Sequence, residues 1–74
     1  MFVKLSELET GGSGIIRSFE NDELYLKFME MGCIPGERIT MGNNQGDPIT
    51  INVAGYQLSL RLKEAESIVV ERFI

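Results

Sequence analysis

Two alternating segments constrain this chain more than any other feature. Ile49, Ile51 and Val53 alternate with Thr50 and Asn52, and Tyr56, Leu58, Leu60 and Leu62 alternate with Gln57, Ser59 and Arg61. A period of two puts every second side chain on one face of a strand. Only Ala54 and Gly55 lie between the segments, so they predict a hairpin with a two-residue turn. That turn sets Val53 against Tyr56, Ile51 against Leu58 and Ile49 against Leu60, with all six side chains on one buried face. A three-residue bulged turn would shift the register and mix the faces. Ala54 is the weak point, because such a turn wants φ > 0 at both positions and alanine disfavours it.

A lone hairpin is marginal in water, so other segments must join it. Glu37 to Gly42 reads as a short strand with Ile39 and Met41 on one face, followed by a polar loop over Asn43 to Pro48. Ile15, Ile16 and Phe19 form a β-type run that Arg17 and Ser18 interrupt. Lys63-Glu64-Ala65-Glu66 reads as a single helical turn and Ile68 to Ile74 as the last strand. Near the start, Ser6 to Glu9 has capping-box spacing, which predicts one helical turn within Val3 to Glu9 that docks Leu5 and Leu8 on the core. Gly11-Gly12-Ser13-Gly14 predicts a turn.

One segment has helical periodicity. Asn21 suits an N-cap, and Asp22 and Glu23 suit the positive end of a helix. Leu24, Tyr25, Phe28 and Met29 recur on one face, Glu23 and Lys27 are spaced for an i, i+4 pair, and Gly32 ends the element. The helix is expected over about residues 22–31, with Pro35-Gly36 as the centre of a type II turn after it. Most of the stripe reads as core. Tyr25, Met29 and Met31 also lie where a helix packed across a small barrel leaves an apolar groove, which makes them candidates for a partner-binding surface. The expected fold is mainly β: a small five-stranded barrel with one added α-helix and a short N-terminal helical turn, as one domain over residues 1–74. Closure would hide the strand edges.

Composition narrows the chemistry. The 74 residues include 11 Asp plus Glu, 7 Lys plus Arg, no His and one Cys, for a net charge of −4. Without His, the commonest general acid/base and metal ligand are missing. One Cys builds neither an intrachain disulfide nor a Cys-rich zinc site. Catalysis, a cofactor and a metal site are therefore not expected. The Gly11–Gly14 run is followed by Ile15-Ile16 rather than the Lys-Ser or Lys-Thr of a phosphate-binding loop. Glu20, Asp22 and Glu23 read as helix-terminal carboxylates. Cys33, between Gly32 and Ile34, reads as a small core hydrophobe. Arg61 reads as an outward strand residue, free to pair with a partner's carboxylate.

Scattered basic residues and a negative net charge argue against a nucleic-acid-binding barrel. No apolar run approaches the roughly 20 residues that span a bilayer. The start lacks the layout of a signal peptide, so a cytoplasmic location without membrane insertion is expected. The apolar Phe73-Ile74 end leaves weak self-association open.

Taken in order, four stretches resemble the FeoA family, the small partner of the FeoB ferrous-iron transporter. They are Leu5-Ser6-Glu7-Leu8 before a glycine turn, Met31-Gly32-Cys33-Ile34-Pro35-Gly36, Gly46-Asp47-Pro48-Ile49, and Gly55-Tyr56-Gln57-Leu58-Ser59-Leu60-Arg61 with Glu64-Ala65 and Ile68 beyond. Cys33 and Met31 depart from the family's usual aliphatics. The resemblance implies an SH3-like barrel and a non-enzymatic role in ferrous iron uptake, through contact with the cytosolic face of FeoB. It also implies a fold shared with the C-terminal barrel of DtxR-type metal regulators. The alternatives are therefore an interaction or iron-sensing domain of that type or, less in keeping with the charge, a nucleic-acid-binding barrel.

Overall fold

The structure is a computed structural model that describes residues 1–73. Its strands are β1 (Phe2–Lys4), β2 (Ser13–Phe19), β3 (Arg38–Asn43), β4 (Ile49–Val53), β5 (Tyr56–Leu60) and β6 (Ile68–Arg72). They form one antiparallel sheet in the order β1-β6-β2-β3-β4-β5. The helices are α1 (Asp22–Glu30) and the short α2 (Leu62–Ala65), with a 3-10 turn at Leu5–Glu7. The sheet has one strand more than the five expected, because Phe2–Lys4 pairs with β6 rather than joining the helical turn. The reciprocal cap of that turn also differs from expectation. The Lys4 N–H donates to Glu7 Oε1 at 2.8 Å, in place of a Ser6–Glu9 box.

The hairpin has the expected register, with Val53 opposite Tyr56, Ile51 opposite Leu58 and Ile49 opposite Leu60. Ala54 and Gly55 both take positive φ, 52° and 84°. This is the primed turn whose twist matches the flanking strands. The face is less buried than expected. Ile49, Ile51, Val53 and Leu60 are fully covered, but Tyr56 is 43% exposed and Leu58 only half-buried. β5 is an end strand, so its inner face lacks the neighbour that would complete the cover. Leu62 does not continue the strand. Its N–H donates to Asp47 Oδ1 at 3.0 Å, and the Arg61 N–H donates to Glu64 Oε1 at 2.9 Å, which together start α2.

β2 is one strand where an interrupted run was expected. Ile16 pairs with Val70 and Ser18 with Val69, which leaves Arg17 as the extra residue of a bulge. The bulge turns Arg17 outward, where its Nε meets Glu71 Oε1 at 2.7 Å. Ser13 and Gly14 belong to this strand, not to a turn. A Cβ on Gly14 would lie 2.5 Å from both the Glu71 carbonyl oxygen and Val70 Cγ1, so the β2–β6 pairing needs glycine there. No hydrogen bonds join β1 to β5 among the described residues, and the sheet is not closed. The 3-10 turn and α2 pack together between these ends instead.

The core lies inside this open barrel. Leu5 and Leu8 enter from the 3-10 segment, as expected, and Phe28 enters from α1. Ile39, Met41, Ile51, Ile68 and Val70 come from the sheet. Cys33 is buried with them, and desolvation, followed by the charge of Glu37, raises its thiol to about 11. The whole body measures 26 × 24 × 22 Å.

Candidate interaction surface

α1 is placed by its two ends. At the start, Asn21 Oδ1 accepts from the N–H groups of Glu23 and Leu24 at 2.8 and 3.1 Å. At the finish, the Gly32 N–H donates to the Met29 carbonyl and the Cys33 N–H to the Phe28 carbonyl. That is a Schellman motif, and Gly32 holds its left-handed position at φ 85°. Pro35-Gly36 then makes the expected turn, with the Glu37 N–H donating to the Ile34 carbonyl at 3.1 Å. The inner face buries Phe28, whose ring stacks on Phe19 with centroids 6.0 Å apart. Lys27 does not pair with Glu23. Its Nζ reaches Glu64 Oε2 on α2 at 2.7 Å and ties the two helices together. This contact lowers the Glu64 carboxyl below its usual range.

The outer face of α1 is apolar where a surface helix is usually polar. Leu26 is 59% exposed, Met29 42% and Tyr25 37%. Three- and four-residue spacing makes these side chains neighbours. Tyr25 leans on Phe19, with ring centroids 5.6 Å apart, which steadies one side of the patch. Asp22, Glu23 and Glu30 are exposed on the same helix, so the patch sits in a negative surround while Lys27 is occupied by Glu64. Met31, the third residue of the candidate set, is partly buried against the core at the helix cap. The structure therefore brings Tyr25 and Met29 together and adds Leu26, while Met31 stands apart.

Arg61 lies elsewhere, across a cleft of about 530 Å³ from the first turn of α1. Its Nε is 3.5 Å from Asp47 Oδ1. Charges of both signs line the cleft: Arg61 and Lys63 against Glu23, Asp47 and Glu64, with Leu24 as its apolar residue. The cleft beside the helix is thus lined mainly by charged and polar residue types, and the exposed Tyr25, Leu26 and Met29 lie outside it. Asp47 links two motifs that are separate in sequence, since it both pairs with Arg61 and receives the Leu62 N–H. The Pro48 side of that loop is exposed and leads into buried Ile49. Gly46 precedes it with φ 80°.

Tyr56 and Phe73 each lie against another part of the chain. Tyr56 brings its hydroxyl near Gly32, where an added Cβ would lie 3.2 Å from it. Phe73 is 43% exposed beneath the Arg38 guanidinium, 4.9 Å from the ring centroid. Ile74, the other half of the apolar end, lies outside the described residues. Among the described residues, no three carboxylate or thiol groups gather to hold a metal ion. No helix among them is long and apolar enough to cross a membrane.

Sheet order, helix placement and motif contacts define a small, mainly β domain of the SH3-like type. The FeoA domain model matches residues 3–72, and the chain belongs to the FeoA family. An NMR structure of a FeoA-like protein from Clostridium acetobutylicum is 33% identical, with a TM-score of 0.86 over 99% of this chain and 88% of that one. FeoA of Stenotrophomonas maltophilia, solved with zinc, is 30% identical, with a TM-score of 0.79 over 93% of this chain and 89% of that one. That protein is described as a prokaryotic SH3 domain protein and a candidate ferrous iron transport activating factor. A manganese-dependent transcriptional repressor shares the fold, with a TM-score of 0.89 over 97% of this chain and 37% of that one, at 15% identity. No curated protein sequence matches the chain.

Proposed function

We propose that this chain is a cytoplasmic, non-enzymatic accessory protein of ferrous iron uptake that works by contact with the cytosolic face of a FeoB-type GTPase transporter. Membership of the FeoA family supports the role in iron uptake. The observation that carries the contact surface is the exposure of Tyr25, Leu26 and Met29 side by side on α1. An apolar patch rimmed by carboxylates suits a basic, amphipathic segment on the partner. Arg61 lies across the cleft from this patch, beside Asp47, and is a separate candidate contact.

Co-purification of the full chain with FeoB tests the reading. The wild-type chain is expected to associate. The double substitution Leu26→Asp with Met29→Asp is expected to weaken association about tenfold or more, as truncating an interface centre does. The same variant should stay folded with at most a modest loss of stability, since neither side chain is buried: Leu26 is 59% and Met29 42% exposed. Undiminished binding of the variant would overturn the surface, and no binding by the wild type would overturn the partner. A second reading, a metal-regulator-type domain that senses iron, draws on the shared fold with the repressors alone. Calorimetric titration with Fe²⁺ or Co²⁺ separates the two, since a tight site would favour the sensor.

A further inference from the structure

The two end strands of the sheet are protected very differently. β1 has three residues, Phe2–Lys4, and ends on a lysine. The Lys4 N–H, turned away from β6, is taken by the Glu7 carboxylate. Short length, a charge and a satisfied donor are the usual means of blunting a sheet edge. β5 has none of them. Its five residues, Tyr-Gln-Leu-Ser-Leu, carry no charge, no proline and no glycine.

The turn fixes which backbone groups of β5 face outward. In a two-residue hairpin the flanking pair, Val53 and Tyr56, is hydrogen-bonded, and bonded pairs then alternate along the ladder. Tyr56, Leu58 and Leu60 therefore bond to β4, and Gln57 and Ser59 present their N–H and C=O groups away from it. Both residues are exposed. Neither makes a hydrogen bond beyond the β4 ladder among the described residues.

We infer that the β5 edge pairs with the β5 edge of a second copy of this chain, antiparallel across a twofold axis at Leu58. The register is self-complementary. Gln57 then faces Ser59 of the second copy, and each such pair exchanges both of its backbone hydrogen bonds. Tyr56 faces Leu60 of the second copy on the other face of the ribbon. No charged side chain enters the paired segment. Arg61 falls opposite Gly55 of the second copy. The two Arg61 residues stand six positions apart, roughly 20 Å at about 3.4 Å per residue, well beyond the ~8 Å over which salt screens charge. The chain's net charge of −4 is thus kept off the contact. A ribbon this narrow covers less than the roughly 800 Å² per partner of stable complexes, so the association is weak and concentration-dependent.

Sedimentation equilibrium of the full chain from micromolar to millimolar concentration, with amide exchange at Gln57 and Ser59, tests this. A monomer–dimer equilibrium is expected, with exchange at these two amides slowing as the dimer fills. The double variant Gln57→Lys, Ser59→Lys opposes like charges at both pairs and should weaken association about tenfold. The variant Gln57→Glu, Ser59→Glu should do the same. Mixing the two variants should restore pairing between them, a recovery that only folded chains can give. A chain monomeric throughout, variants that associate like the wild type, or a mixture that stays monomeric would each overturn the inference. So would slowed exchange at Gln57 and Ser59 that arises only when FeoB is added, because the edge would then belong to that partner's strand.

Discussion

The β1 end and the β5 end of the sheet reach similar local geometry by opposite means. β1 is held by pairing with β6 from the far end of the sequence, and the Lys4 N–H on its outer edge is taken by the nearby Glu7 carboxylate. β5 is held by its own hairpin, and its far edge is bare. The Glu7 cap removes an outward donor from the already short β1 edge, whereas the longer β5 edge keeps the outward groups of Gln57 and Ser59 open. The two ends therefore differ in how much each contributes to stability and how much it offers to a partner.

The largest expected effect contrasts one side chain from each end. Leu5, fully buried behind β1, should lose about 3 kcal/mol as Leu5→Ala, whereas half-buried Leu58 in β5 should lose about 1 kcal/mol as Leu58→Ala. Equal losses in urea unfolding would erase the distinction. Next, Gly14→Ala drives a methyl into the β6 backbone and should cost about 2 kcal/mol or more, by forcing the β2–β6 ladder apart. A loss near zero would mean that β6 yields more easily than its contacts suggest. At the other end, Ala54→Asn should stabilise the chain by about 0.5–1 kcal/mol, because asparagine tolerates the left-handed turn better. Its midpoint shift should leave Gln57 and Ser59 exchange unchanged.

The smallest effect concerns the tie between α1 and α2. Glu64 is held below its usual range chiefly by the hydrogen bond from Lys27. A depressed carboxyl stabilises the fold above its unfolded pKa, and that contribution fades as pH falls through the folded value. Lys27→Met should therefore lower the denaturation midpoint more at pH 7 than at pH 3. The same loss at both pH values would mean that the pair does not stabilise through charge.

What could be read in advance follows the same division. The register of the hairpin was legible, because it depends on a period of two and a two-residue turn, both local, whereas the end of its second strand was not, since Asp47 draws Leu62 into α2. The ends of α1 were legible for the same reason, through Asn21 and Gly32. β1 was not, because its partner lies at the other terminus and Phe2-Val3-Lys4 is too short to carry a period. Gly14 looked like part of a turn, since the need for glycine comes from β6 crossing close by. Lys27 was assigned to Glu23 by spacing, and the fold placed Glu64 nearer. On the interaction surface, Tyr25 and Met29 were found through the helical stripe. Leu26 was missed because it lies off that stripe, in a row with Asp22 and Glu30. An apolar residue flanked by acids at i−4 and i+4 has no core to explain it, and that was the available signal.

The body's size, 26 × 24 × 22 Å, gives it a total accessible surface of 4396 Å². A partner of ordinary dimensions covers about 800 Å², close to a fifth of that skin. On so small a particle, contact surfaces are neighbours by geometry alone. Whatever occupies α1 takes a large share of one side, so successive or simultaneous contacts are decided by which faces remain in the open.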